Sequence, residues 1–140
     1  MKTYSVSLLI HSSPLSLDDL SLKLGRSHTG GSHTKGEPHV LKDRPPWSKT
    51  VWRLDSRVSK TSRLKDHLED LKIQFPPGEL RALLPADCSL CIDIAIFFDS
   101  VNVSASIPRS GLKIIDAYDT DLEVTCYPSS ARSEKKRKKT

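Results

Sequence analysis

The fold is decided by one apolar stretch, Leu90-Cys91-Ile92-Asp93-Ile94-Ala95-Ile96-Phe97-Phe98. Its even-numbered positions carry leucine, isoleucine or phenylalanine, and they alternate with a mixed set at the odd-numbered positions, which is the period of a β-strand. Because it is the most apolar strand that the sequence predicts, we expect it to lie at the centre of a sheet. Most of the hydrophobic core should be built on it.

The same alternation recurs along the chain and predicts further strands. Residues 4–11, 47–55 and 122–127 alternate in this way, and residues 37–41 suit a short edge strand. Residues 101–107 alternate with one polar face and follow Asp99-Ser100, which favours a turn. We therefore expect residues 101–107 to be the antiparallel partner of the central strand.

Helical signals lie between the strands. Residues 17–24 follow a capping-box spacing at Ser16 and Asp19, have Leu15 and Leu20 at the positions of a hydrophobic staple, and end at Gly25, which can take a positive φ angle. We therefore predict a short first helix over residues 17–24.

Three more helices are predicted farther along the chain. Residues 63–75 are amphipathic and end at a pair of prolines, with an apolar face formed by Leu64, Leu68, Leu71 and Phe75. Residues 79–84 suit a short helix that packs with it, and Ser110 can cap a last helix that ends at about residue 118.

These elements predict an α+β domain over residues 1–130, in the order β-α-β-β-α-β-β-α-β. A single antiparallel or mixed sheet of about five to six strands, with helices packed on one face, would bury the apolar faces described above. The length is in the usual range of one domain that builds a core without disulfides.

The formal charge of +5 is confined to the end of the chain. Residues 131–140 carry six basic side chains against Glu134, so the rest of the chain is formally neutral. A neutral body argues against a basic face that follows a phosphate backbone, and a block of like charges is typical of a disordered, solvated end. Nucleic-acid binding is therefore expected only through this basic tail.

Compartment and redox state follow from what the sequence lacks. The apolar run near the start is shorter than a secretory signal, no run reaches the length needed to cross a bilayer, and the three cysteines are an odd number. We expect a cytoplasmic protein with reduced thiols and no membrane contact. Cys88 and Cys91 cannot form a redox or zinc pair if both lie in a strand, because their side chains would point to opposite faces.

Residues 24–38 are too rich in glycine for a helix and too polar for a core strand, and they contain a duplicated pentad, residues 27–31 and 32–36. The Gly25 to Gly30 spacing is that of a phosphate-binding loop, but the next residue is Gly31 rather than lysine and the loop follows a helix. A weaker anion-holding concavity, formed by backbone amides with Lys35 and Arg26, is an alternative. The other alternative is that the loop only connects the elements on either side of it.

Other candidate chemistry is sparse. His28, His33 and His39 do not have the spacing of a zinc site, and no nucleophile can be assigned to His67, so we expect no catalytic residue, no metal and no cofactor. The residues that could line a ligand site are Lys35, Gly36, Trp52, Arg53 and His67.

The sequence resembles the bacterial family catalogued as domain of unknown function 4279. The resemblance covers most of residues 4–127 and is carried by Leu24-Gly25, by residues 34–38 and 67–71, by Trp52-Arg53-Leu54 and by the strand at residues 92–98. It implies an α+β bacterial domain without an assigned activity. By analogy with other small bacterial α+β domains, it also admits an immunity-type partner of a secreted toxin.

The functional hypothesis is a non-catalytic binding or interaction domain whose partner is another protein. A small-molecule or anion-binding domain that uses the glycine-rich loop is the alternative, and weak nucleic-acid binding through the tail is a third. The sequence leaves the oligomeric state open.

Overall fold

The computed structural model describes residues 2–39, 41, 43–99 and 104–128. These residues form four strands and four helices: β1 (Lys2–Ser12), α1 (Leu17–Leu24), β2 (Thr50–Asp55), α2 (Leu64–Gln74), α3 (Pro77–Leu83), β3 (Ser89–Phe98), α4 (Arg109–Tyr118) and β4 (Asp121–Pro128). The basic tail predicted at residues 131–140 lies outside the described part of the chain.

The strands form one mixed sheet in the order β2-β1-β3-β4. β1 pairs antiparallel with β2 and β3, whereas β3 and β4 run parallel. A parallel pair needs a crossover connection, and α4 supplies it. The described residues are therefore α+β, as expected, but their sheet has four strands rather than five to six.

The two faces of the sheet differ in composition. Pairing joins residues of equal parity on neighbouring strands, so even-numbered side chains share one face and odd-numbered side chains share the other. The even-numbered face, here called the helix face, forms the core with side chains from all four helices, among them Leu20, Leu68, Leu80 and Ile114. The odd-numbered face is called the polar face.

The central position of β3 is confirmed, since it lies between β1 and β4. Its partner was predicted wrongly. Residues 104–107 are not in a strand, and residues 101–103 lie outside the described part of the chain. β1 and β4 occupy the two sides of β3, so no hydrogen-bonding edge remains for residues 104–107.

Three other predictions differ from the structure. Residues 37–39 and 41 are not in a strand, and Pro38 has no N–H to donate to a ladder. β2 begins at Thr50 rather than at residue 47. The last helix starts directly after Pro108, so Ser110 lies inside its first turn and does not cap it.

The predicted start and end of α1 are confirmed. Ser16 and Asp19 form both hydrogen bonds of a capping box, with the Asp19 N–H donating to Ser16 Oγ over 3.2 Å. Gly25 ends the helix with a φ angle of 68°. In α2 the predicted apolar face is also buried, with Leu68, Leu71 and the following Phe75 fully enclosed.

None of the helices in the described ranges combines the length and the apolar character needed to cross a membrane.

Candidate functional site

The outer edge of β2 is covered by the glycine-rich loop. His33 forms an isolated antiparallel bridge with Val51, with N–H groups donating to carbonyl oxygens over 3.0 and 2.8 Å. Two residues farther along β2, the Arg53 N–H donates to Ser32 Oγ over 3.0 Å. A serine hydroxyl thus takes the place of a strand carbonyl at this point.

Thr29 covers the edge of β2 at the end of the strand. Its N–H and its hydroxyl both donate to the Arg53 carbonyl, over 2.7 and 3.1 Å, and its Oγ1 accepts from the Asp55 N–H over 3.1 Å. Gln74 donates from Nε2 to the Asp55 carbonyl over 3.0 Å. The outward backbone groups of β2 are therefore satisfied, and the loop acts as a cap on the edge strand.

Glycine is required at two turns of this loop. Gly31 and Gly36 have φ angles of 88° and 87°, in the left-handed region that side chains with a Cβ disfavour. A Cβ on Gly31 would also lie 3.3 Å from Cδ of Arg53. The second pentad is held by Lys35, whose N–H donates to Thr50 Oγ1 over 2.9 Å.

Two of the groups expected to hold an anion are used within the protein. The Gly36 N–H donates to the Trp47 carbonyl over 2.8 Å. The Arg26 guanidinium forms an ion pair with Glu79 at 2.9 Å and lies 3.9 Å from the centre of the Phe75 ring. The anion-binding concavity stays a prediction, and these contacts do not favour it.

The predicted ligand residues are not brought together. Trp52 is fully buried on the helix face, where its Nε1 donates to Ser21 Oγ over 3.2 Å, whereas Arg53 lies on the polar face and pairs with Asp55 at 2.6 Å. Lys35 is exposed in the loop. Adjacent strand residues point to opposite faces, so one cavity cannot use both Trp52 and Arg53.

His67 is the fifth predicted site residue and is only 1% exposed. Its Nδ1 shares a 2.5 Å hydrogen bond with Ser56 Oγ, and its ring meets Tyr4 edge to face. Burial lowers its pKa, although Asp66 and Asp70 act in the opposite direction. A serine beside a histidine is the pairing used by nucleophilic enzymes, but a histidine so enclosed is better suited to fixing the segment after β2 onto α2.

Asp70 strengthens the same attachment. Its carboxylate accepts from the Arg57 N–H over 2.8 Å, from the Arg57 guanidinium over 3.0 Å and from Gln74 Nε2 over 2.7 Å. The hydrogen bonds from Arg57 and Gln74 hold the pKa of Asp70 below its usual value against the opposing effect of burial. The segment after β2 is therefore fixed by side chains of α2.

The other candidates for metal or redox chemistry are separated. The rings of His33 and His39 both contact Trp47, with ring centres 3.5 and 4.4 Å from that of the tryptophan. Cys88 precedes β3, and Cys91 lies on its polar face, where burial and nearby carboxylates raise the thiol pKa to about 11. Within the described ranges, no three histidine, cysteine or acidic side chains are grouped so that they could hold a metal.

β4 presents a surface that sequence reasoning missed. It pairs with β3 on one side only, and within the described ranges no hydrogen bond reaches the backbone edge that faces away from β3, here called the β4 edge. Leu122 and Val124 lie on the helix face but are 36% and 47% exposed. Tyr127 is on the polar face, where its ring stacks on Phe97 at 5.2 Å. An apolar strand with an unpaired edge is a template for another strand.

The sequence did contain part of this signal. It predicts the strand and its apolar positions, and the prediction is confirmed for residues 122–127. What it lacks is any mark that the strand is at the edge of the sheet, because the alternation of a half-buried strand looks the same in either position.

Searches for similar proteins found no match among family models, curated proteins or solved structures. The resemblance to domain of unknown function 4279 therefore stays a prediction, and the geometry of the chain itself carries the functional argument.

Proposed function

We propose that the protein is a non-catalytic interaction domain that binds a protein chain by strand addition along the β4 edge. The observation that carries the proposal is the contrast in the sheet: β2 is covered by its own loop, whereas β4 has exposed side chains on both faces and an outer edge that receives no hydrogen bond from the described residues. In strand addition, main-chain hydrogen bonds supply affinity and alternate side chains supply selectivity.

The exposed side chains of β4 suit this role. Leu122 and Val124 offer apolar contact on one face, and Tyr127 offers an aromatic ring with a hydroxyl on the other. Tyrosine combines a large contact area with a polar group, which is why it is enriched in protein interfaces. A partner strand would bury all three while it satisfies the backbone of β4.

A second apolar surface lies between α2 and α4, where Ile73 is exposed beside Ile114 and Ala117. Helix backbones satisfy their own hydrogen bonds, so this groove offers a partner side-chain contact alone. The β4 edge offers side-chain contact together with backbone groups that no residue in the described ranges pairs, and it is therefore the stronger candidate. An immunity-type role is one form of the proposal, with a toxin as the docking chain.

Photo-crosslinking in the native cells tests the proposal. We expect Val124→p-benzoylphenylalanine to give protein adducts on irradiation, identified by mass spectrometry. The control places the same group at Leu22, an exposed apolar side chain on α1. If position 124 gives no more adduct than position 22, the β4 edge is not a protein-binding site.

A further inference from the structure

We infer that the chain that docks on the β4 edge is a second copy of the protein, with the two β4 strands antiparallel about a two-fold axis. The inference rests on the proposed function and names its partner. The result is a continuous eight-stranded sheet, formed by joining the four strands of each copy. A two-fold contact of this kind must be self-complementary, and the sequence of β4 meets that condition.

The faces of the sheet restrict the register. Residues directly opposite each other in an antiparallel pair point to the same face, so an apolar face meets an apolar face only if the paired residues have the same parity. The registers that satisfy this rule and keep most of β4 paired place Glu123, Val124, Thr125 or Cys126 opposite its own copy.

Charge and backbone chemistry select among these four registers. Glu123 opposite itself would set two carboxylates side by side, which is destabilising. Thr125 or Cys126 opposite itself would bring Pro128 opposite Leu122 or Val124, and proline has no N–H to donate to the ladder. The register centred on Val124 avoids both defects.

On the polar face this register matches acceptors with donors. Asp121 comes opposite Tyr127 of the second copy, and Glu123 comes opposite Thr125 of the second copy. Each carboxylate thus meets a hydroxyl that can donate to it, and the two-fold axis forms each pair twice. No two like charges lie opposite each other.

On the helix face the same register matches apolar groups. Val124 meets Val124 of the second copy, and Leu122 comes opposite Cys126 of the second copy. All three side chains are exposed in the single chain, so pairing removes apolar surface from water. Cross-strand contacts of this kind are the unit that stabilises a sheet.

Cysteine crosslinking tests the register. In a Cys126→Ser background, Val124→Cys places two cysteines directly opposite, at a Cα separation of about 4.5–5.5 Å that a disulfide can bridge. Thr125→Cys in the same background would lie on the diagonal, about 7–8 Å apart, beyond disulfide reach. We expect mild oxidation to give a covalent dimer with the first variant and several-fold less with the second.

Leu22→Cys in the same background measures random collision, because Leu22 is highly exposed on α1. A Val124→Cys yield no higher than the Leu22→Cys yield would overturn the inference. Sedimentation of the unmodified full-length chain gives an answer that does not depend on any variant folding. We expect a concentration-dependent dimer, and a chain that stays monomeric up to submillimolar concentration would also overturn self-pairing.

The composition of the photo-adduct from position 124 separates the two proposals. An adduct of two copies of this chain supports both of them. Adducts made only with a different protein would support the β4 edge as a docking site and overturn self-pairing. No adduct above the position 22 control would overturn both.

Discussion

The two edges of the sheet are treated in opposite ways. β2 is covered by hydrogen bonds from residues 29–36 and buries Trp52 completely, whereas β4 keeps its outer edge without hydrogen bonds from the described residues and leaves Val124 almost half exposed. A sheet needs at least three strands or packing against a helix to be stable, and the four strands of this sheet, edge strands included, meet that condition. The difference shows that the cover on β2 is specific to that edge, so the exposure of β4 calls for its own explanation.

The largest difference between the edges should appear on removing a large side chain. We expect Trp52→Ala to lower the free energy of unfolding by about 3–5 kcal/mol, because it empties a fully buried site. Val124→Ala on β4 should change it by less than about 0.5 kcal/mol. Urea unfolding of dilute protein measures both, and an equal loss at the two sites would show that β4 is buried.

Removing one threonine hydroxyl at each edge gives a more closely matched comparison of the two edges. Thr29→Val takes away the acceptor of the Asp55 N–H and should cost about 1–3 kcal/mol, because a backbone donor is left without its partner. Thr125→Val on β4 keeps the shape and should be close to neutral in the monomer. Hydrogen exchange should also become faster at the Asp55 amide in the first variant. Unchanged exchange there would mean that the loop does not protect the edge.

Substitutions at two adjacent glycines test the role of the loop. Gly31→Ala introduces a Cβ at a positive φ angle and should cost about 1–2 kcal/mol. Gly30→Ala is the matched control, because a Cβ there meets nothing within 4 Å and the φ angle of Gly30 is not positive. Thermal unfolding compares the two. Equal effects would indicate that the turn at Gly31 is not needed to seat the cap on β2.

We expect mild acid to have the smallest effect on the free energy of unfolding, and we expect that effect only on the side of the sheet where β2 is covered. Burial lowers the pKa of His67 below its ordinary value of 6.5, so the unfolded chain binds the proton more readily than the folded chain. Its contribution to stability is therefore fully present above pH 6.5 and is lost as the pH falls through the folded-state pKa.

His67→Gln should flatten this decline, and His28→Gln, at an exposed loop position, should leave it unchanged. Urea unfolding between pH 7.5 and about 5 measures the slope. A decline that is identical in the His67 variant would assign the pH dependence to other groups.

Local signals in the sequence predicted most of the elements. β1 and β3 are predicted by their period of two, α2 by helical spacing, and α1 by the capping box at Ser16 and Asp19 and by Gly25 at its end. These signals are produced by neighbours within a few residues, so one stretch of sequence contains them entirely. The strand predicted at residues 101–107 shows the limit, because its alternation is as clear as that of β4 and residues 104–107 are still not in a strand.

The candidate site was not predictable in the same way. Lys35, Gly36, Trp52, Arg53 and His67 were grouped because of residue type, and the structure distributes them over the loop, both faces of β2 and α2. The β4 edge was not proposed from sequence, because exposure of an edge depends on what lies beside it in space.

The sequence by itself therefore determined the class of the fold, the alternation of β1, β3 and β4, and the apolar face of α2. Only the tertiary structure decided that β4 runs parallel to β3, with Ile92 beside Leu122, and that Thr29 and Ser32 cover β2. The physical reason is separation along the chain. Periodicity arises within one element, whereas the pairing of β3 with β4 and the cover by Thr29 and Ser32 join residues that lie 21 to 30 positions apart.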